Sequence, residues 1–85
     1  MKRLGVVTHY FGKIHVAVLE LEEDIRLGNI VSFEGFLTGF EQRIDSIQVD
    51  KQPISEGKKG TEIAMKVVER VRPGDEMFEV EEERS

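Results

Sequence analysis

Gly57-Lys58-Lys59-Gly60-Thr61 has the letters of a phosphate-binding loop in the wrong order. A P-loop places four residues between its glycines and a Lys-Ser/Thr pair after the second, opening a helix whose amides cradle phosphates. Here both lysines lie between the glycines, and Ile63, Met65 and Val67 follow with the two-residue period of a strand. The segment reads as a basic turn, and no nucleotide binding is expected of this chain alone. His9 and His15 flank Gly12-Lys13, so two imidazoles could face each other across a hairpin and begin a metal site. No third ligand stands at a motif spacing, so both read as ordinary histidines and no metal or cofactor is expected. Thr8, Ser32, Thr38, Ser46, Ser55 and Thr61 sit among strands and turns with no nucleophile elbow near them. The carboxylates come in runs such as Glu22-Glu23-Asp24, which read as a solvated loop, not an acid–base pair. Catalysis is not expected.

Thr8-His9-Tyr10-Phe11-Gly12-Lys13 is different in kind. It sets three rings and a cation at the tip of a hairpin, a combination suited to stacking on bases or gripping a protein. Tyr10 or Phe11 turning inward as core is the competing reading. A second basic group, Lys51, Lys58 and Lys59, lies later in the chain. The candidate ligand-binding set is therefore His9, Tyr10, Phe11, Lys13, Lys51, Lys58 and Lys59.

The elements that must position these residues follow from size and pattern. At 85 residues the chain is expected to form one domain over 1–80, with a mobile acidic tail over 81–85. It has no cysteine, which excludes disulfides and thiol chemistry and fits a reducing cytoplasm. No apolar run suits a signal peptide or a membrane span, so a cytoplasmic protein with no membrane partner is expected. The net charge of −5 opposes a general affinity for nucleic acid. The charge is segregated, however: Lys2, Arg3 and Lys13 precede any acid, whereas acids gather at residues 20–24 and from Glu76 onward.

Strand signals dominate. Leu4–Phe11 and Ile14–Leu21 form a hairpin around Gly12-Lys13, with Ile14, Val16 and Val18 expected on the inner face. Gly28 turns the chain into Asn29–Glu34, with Ile30 and Phe33 as the inward candidates. Gly35 and Gly39 mark a turn around Phe36-Leu37 before a long strand over Thr38–Asp50. The apolar parity of that strand changes between Phe40/Ile44 and Ile47/Val49, which predicts a bulge or bend near Asp45-Ser46. Pro53 is expected to end it. Ile63, Met65 and Val67 give a further inward face, Arg72-Pro73-Gly74-Asp75 a β-turn, and Met77–Val80 a closing strand with Phe78 and Val80 inward. The expected fold is all-β, a six-stranded Greek-key barrel.

The order of Val16-Ala17-Val18 before Leu27-Gly28, then Ile47-Gln48-Val49 followed by Glu56-Gly57-Lys58-Lys59-Gly60, resembles domain 2 of translational GTPases such as elongation factor Tu. A likeness centred on Val7-Thr8-His9-Tyr10-Phe11 and Lys13-Ile14 is to small stand-alone barrels of this group and to the C-terminal barrel of some U32-family peptidases, proteins associated with RNA or protein modification. The resemblance implies a binding barrel without catalysis of its own; the GTPase domain is absent. In elongation factor Tu this domain helps hold the aminoacylated end of tRNA. The arginine of that contact falls near Lys51 here, its acidic residue near Leu4 and its asparagine near Glu62, so two of the three positions depart from the pattern. The resulting expectation is a translation-related module associated with RNA, tRNA or the ribosome. The alternative is a protein–protein interaction or accessory module for a separately encoded enzyme.

Overall fold

A computed structural model describes residues 2–81; of the expected tail, residues 82–85 lie outside the described part. Those residues form strands and turns with no helix, in the order β1 (Arg3–Phe11), β2 (Val16–Leu21), β3 (Ile25–Arg26), β4 (Ile30–Glu34), β5 (Gly39–Arg43), β6 (Gln48–Val49), β7 (Gln52–Pro53), β8 (Glu56–Gly57), β9 (Glu62–Lys66) and β10 (Glu76–Glu79). No helix among them is long and apolar enough to cross a membrane. The expectation of six strands is corrected to ten shorter ones, because bends divide the longer runs.

Eight strands make one sheet in the order β5-β4-β10-β1-β2-β9-β6-β7, and β3 pairs with β8. Every pairing is antiparallel. The change of apolar parity after Ile44 is a real break. β5 ends at Arg43 and pairs with β4, whereas β6 starts at Gln48 and pairs with β9, so one expected strand becomes two with different neighbours. Pro53 lies in β7 at the edge of the sheet, where its missing N–H costs no ladder bond.

Segments beyond the ladders are stitched together across the break. Gly28 N donates to Ile44 O and Ile44 N to Asn29 O, both at 2.9 Å. From β5 the Gln42 amide reaches β9 and beyond: Nε2 donates to Lys66 O at 3.0 Å, and Oε1 accepts from Val68 N at 2.9 Å. Lys66 N in turn donates to Ser46 Oγ at 3.0 Å.

The core draws on almost the whole chain: Leu4, Val7, Ala17, Leu19, Leu21, Ile25, Val31, Phe33, Ile44, Ile47, Ile63, Met65, Val67, Val71 and Met77. Ile44, Ile47, Ile63, Met65 and Val67 face inward as their alternation predicts. In β2 the expected face is inverted. Ala17, Leu19 and Leu21 are buried, Val16 and Val18 are half-buried, and Ile14 is 59% exposed in the turn. In β4, Val31 and Phe33 are buried and Ile30 is only half-buried. In β10 it is Met77, not Phe78 or Val80, that reaches the core. In β4 Phe33 is thus inward as expected and Val31 replaces Ile30, whereas β2 and β10 are each shifted by one residue, which exchanges the two faces of a strand.

Candidate functional site

The β1–β2 hairpin turns through Gly12–His15. Ile14 N donates to Phe11 O at 3.3 Å, and His15 takes a left-handed φ of 56°. Within β1 the register against β2 slips between Val7 and His9, leaving Thr8 as an extra residue. Its Oγ1 donates to Val18 O at 3.2 Å, so the bulge keeps a hydrogen bond. The slip settles the aromatic faces. Tyr10 packs against the core, while His9 and Phe11 share the outer face and stack with ring centroids 6.3 Å apart and planes 13° apart. Phe11 is 51% exposed, and Lys13 is exposed beside it in the turn.

Lys51, Lys58 and Lys59 lie elsewhere. Val16 pairs with Lys66, so the hairpin tip stands at the Lys66 end of β9. Residues 58–61 lead into the other end at Glu62, and β6, with Gln48 opposite Ala64, runs toward that same end. There Asp50-Lys51, both at positive φ, turn the chain from β6 into β7. The structure thus does not bring the aromatic tip and the three lysines together. Lys58 is also engaged: its Nζ lies 3.1 Å from Glu56 and 3.8 Å from Asp24. The hydrogen bond to Glu56, supported by both carboxylate charges, raises its pKa above the ordinary lysine value. Lys59 N donates to Asp24 Oδ1 at 2.8 Å, which holds the turn against the acidic loop. At this end Arg3 bridges Glu22 at 2.8 Å and Glu76 at 2.6 Å, and those hydrogen bonds raise its pKa. It is an end of paired charges.

The hairpin-tip end is different, and a second surface loop belongs to it. Val6 pairs with Glu76 and Glu76 with Glu34. Beyond this level β1 continues to Phe11, and β4 to the Gly35–Thr38 turn, so both tips project at the same end. Gly35 and Thr38 exchange backbone hydrogen bonds of 2.9 and 3.3 Å, which leaves Phe36 and Leu37 as the two tip residues. Phe36 is 100% and Leu37 68% exposed. Turn positions are usually polar, so two large apolar residues between Gly35 and Gly39 are the sequence signal that points to this loop as well as to a turn.

The connection from β9 to β10 leaves at the same end, since Lys66 is level with Val16 and Val67 N donates to His15 O at 2.9 Å. It buries Val71, exposes Val68, and turns at Pro73-Gly74 with Asp75 N donating to Arg72 O. Gly74 has φ +94°, as the second central residue of a Pro-Gly turn requires. Arg72 then reaches the β4–β5 tip: Nη1 donates to Thr38 Oγ1 at 2.9 Å and to Leu37 O at 3.2 Å. The buried Asp75 carboxylate accepts from Arg72 N and packs on Gly35, where any Cβ would overlap it.

Phe11, Ile14, Phe36, Leu37 and Val68 are therefore exposed large apolar residues gathered on three segments at one end, interleaved with Lys13, Arg70 and Arg72. Among the described residues no three His, Cys, Asp or Glu side chains converge as a metal site would need. The chemistry this end offers is contact: apolar burial with charges of both signs around it.

No family model matches the chain. An uncharacterized protease of Methanocaldococcus jannaschii is 30% identical over 80 residues, which are 93% of this chain and 20% of that protein. A collagenase of Porphyromonas gingivalis is 30% identical over 77 residues, 88% of this chain and 21% of that protein. The chain thus spans about a fifth of the length of the curated relatives it matches. The crystal structure of the C-terminal domain of a Geobacillus thermoleovorans protein described as a U32 peptidase superposes with a TM-score of 0.89 at 20% identity, over 94% of this chain and 93% of that domain. Its selenomethionine variant gives 0.88 at 22% identity over all of that chain. The likeness to the U32 C-terminal domain thus finds a counterpart in these relatives, and the likeness to elongation factor Tu does not. The fold is that of the U32 C-terminal domain.

Proposed function

We propose that this chain is a non-catalytic accessory module that acts with a catalytic polypeptide of the U32 peptidase kind, by docking and not by chemistry. The observation that supports this is the match, over nearly the whole of both chains, to a domain that forms the C-terminal part of such a protein. The relatives named as proteases are about five times longer, and the activity in their names belongs to those whole proteins. The fold fits the role. The Gln42 bonds to Lys66 and Val68, with the Ile44 bonds to Gly28 and Asn29, favour a sheet rolled into a Greek-key barrel over 1–80, a rigid body for display. The translation-related reading has less behind it, because its lysines and aromatic tip are held apart and Lys58 is already paired.

The test is purification of the chain from its own cells with nuclease present throughout, and assay of the free chain on gelatin and casein. The expected outcome is no cleavage by the free chain and a nuclease-resistant association with a U32-type polypeptide, in the same or a separate chain. Loss of all association on nuclease treatment, with retention of labelled tRNA by the purified chain, would return the function to RNA.

A further inference from the structure

We infer that the Phe36-Leu37 tip is the anchor of the docking surface, and that it seats in an apolar socket on the catalytic polypeptide. This rests on the accessory-module reading and adds the surface and the chemistry of its partner. Three observations carry it. Phe36 has its entire side chain in water, so it contributes nothing to the core of this fold. The loop that presents it is held from outside itself, by Arg72 through Leu37 O and Thr38 Oγ1 and by Asp75 packed on Gly35. An exposed apolar pair on a braced two-residue turn is preorganised for insertion, which spares the ordering cost of binding.

The third observation is charge. Around the tips stand Lys13, Arg70 and Arg72 against Glu34, Glu69 and the buried Asp75, so charge there is balanced. An end without net charge holds no attraction for a polyanion and leaves apolar burial as the main contact it can offer. A nucleic acid fits less well. Phe11 and Phe36 are rings, but Leu37, Ile14 and Val68 beside them offer none for a base to stack on, and the Arg72 guanidinium already donates to Leu37 and Thr38. The matched relatives supply an occupant of the required kind, since four fifths of their length lies outside the region they share with this chain.

A photo-crosslinking phenylalanine analogue placed at Phe36, and separately at Lys51 at the opposite end, tests this on the full chain in the cells that make it. The expected product is a covalent bond from the Phe36 position to a U32-type catalytic sequence, within the same polypeptide or in another, at a peptide carrying apolar residues. The Lys51 position gives none. Crosslinking to that sequence from Lys51 alone, or equally from both positions, overturns the anchor and leaves the accessory role standing. Crosslinking from neither position removes both. Products at Phe36 that contain only RNA or lipid overturn the anchor. In parallel, the double variant Phe36→Ser, Leu37→Ser should weaken capture of the crosslinked partner at least about tenfold, as loss of a hot spot does, with an unchanged melting temperature. Unchanged capture by that variant also overturns the anchor.

Discussion

Gln42 and Val68 meet across the gap between β5 and the segment that leaves β9, with Val68 N donating to Gln42 Oε1 at 2.9 Å. The other half of the same amide donates to Lys66 O, so one side chain serves a donor and an acceptor that have no strand partner there. Gln42→Leu keeps the volume and removes both bonds. It should destabilise the fold by about 1–3 kcal/mol, the cost of stranding buried polar groups, measured by urea denaturation.

The inverted face of β2 gives a paired prediction. Leu19 is fully buried, and Leu19→Ala should cost about 2–5 kcal/mol through lost burial and the cavity left behind. Ile14→Ala, at an exposed turn, should stay within about 0.5 kcal/mol of wild type. Denaturation midpoints in the reverse order would restore the face expected from Ile14, Val16 and Val18.

Gly5 lies where β1 runs close against β2. A Cβ there would stand 2.7 Å from Glu20 O, a backbone atom that cannot rotate away. Gly5→Ala should push the two strands apart at about 1–3 kcal/mol, and faster amide exchange near Glu20 and Leu21 would report it. Unchanged protection there would show that the strands yield without cost.

The raised pKa of Lys58 fixes the sign of its pH dependence. A cation favoured by the fold stabilises fully below its unfolded pKa, and that contribution is lost as pH rises through the folded value. The difference in melting temperature between wild type and Lys58→Met should hold between about pH 7 and pH 9 and shrink as pH passes about 10.5. A difference that vanishes near neutrality would mean the bonds to Glu56 and Asp24 do not form in solution.

Much of this architecture is legible in the residues. Gly12-Lys13, Pro73-Gly74 and the parity change after Ile44 gave turns and a break where the chain has them, because Gly, Pro and alternation act locally. The face of β2 is harder, since both parities are apolar. The discriminating residue is charged: Glu20 shares parity with Val16 and Val18, so that face meets water. The aromatic tip was visible as three rings beside a lysine, although choosing Tyr10 as the inward ring needed the bulge at Thr8. Gly35 and Gly39 around Phe36-Leu37 encode a turn. Its bracing by Arg72 joins residues far apart in sequence, which no local pattern encodes. The wide separation of Lys51 and Lys58 from Lys13 has the same origin, in strand register.

The pairing of Arg3 with Phe78 sets the schedule on which this protein can be made. β1 is central, yet one of its neighbours is β10, the last of these ten strands to be synthesised. While the chain is still on the ribosome, β1 and β2 can form their hairpin, but the β10 edge of β1 stays open until residues 76–79 emerge. A fold whose first and last strands are partners closes late and, with its many distant pairings, slowly. Until then Leu4 and Val7 are uncovered, and the nascent domain carries its own adhesive edge.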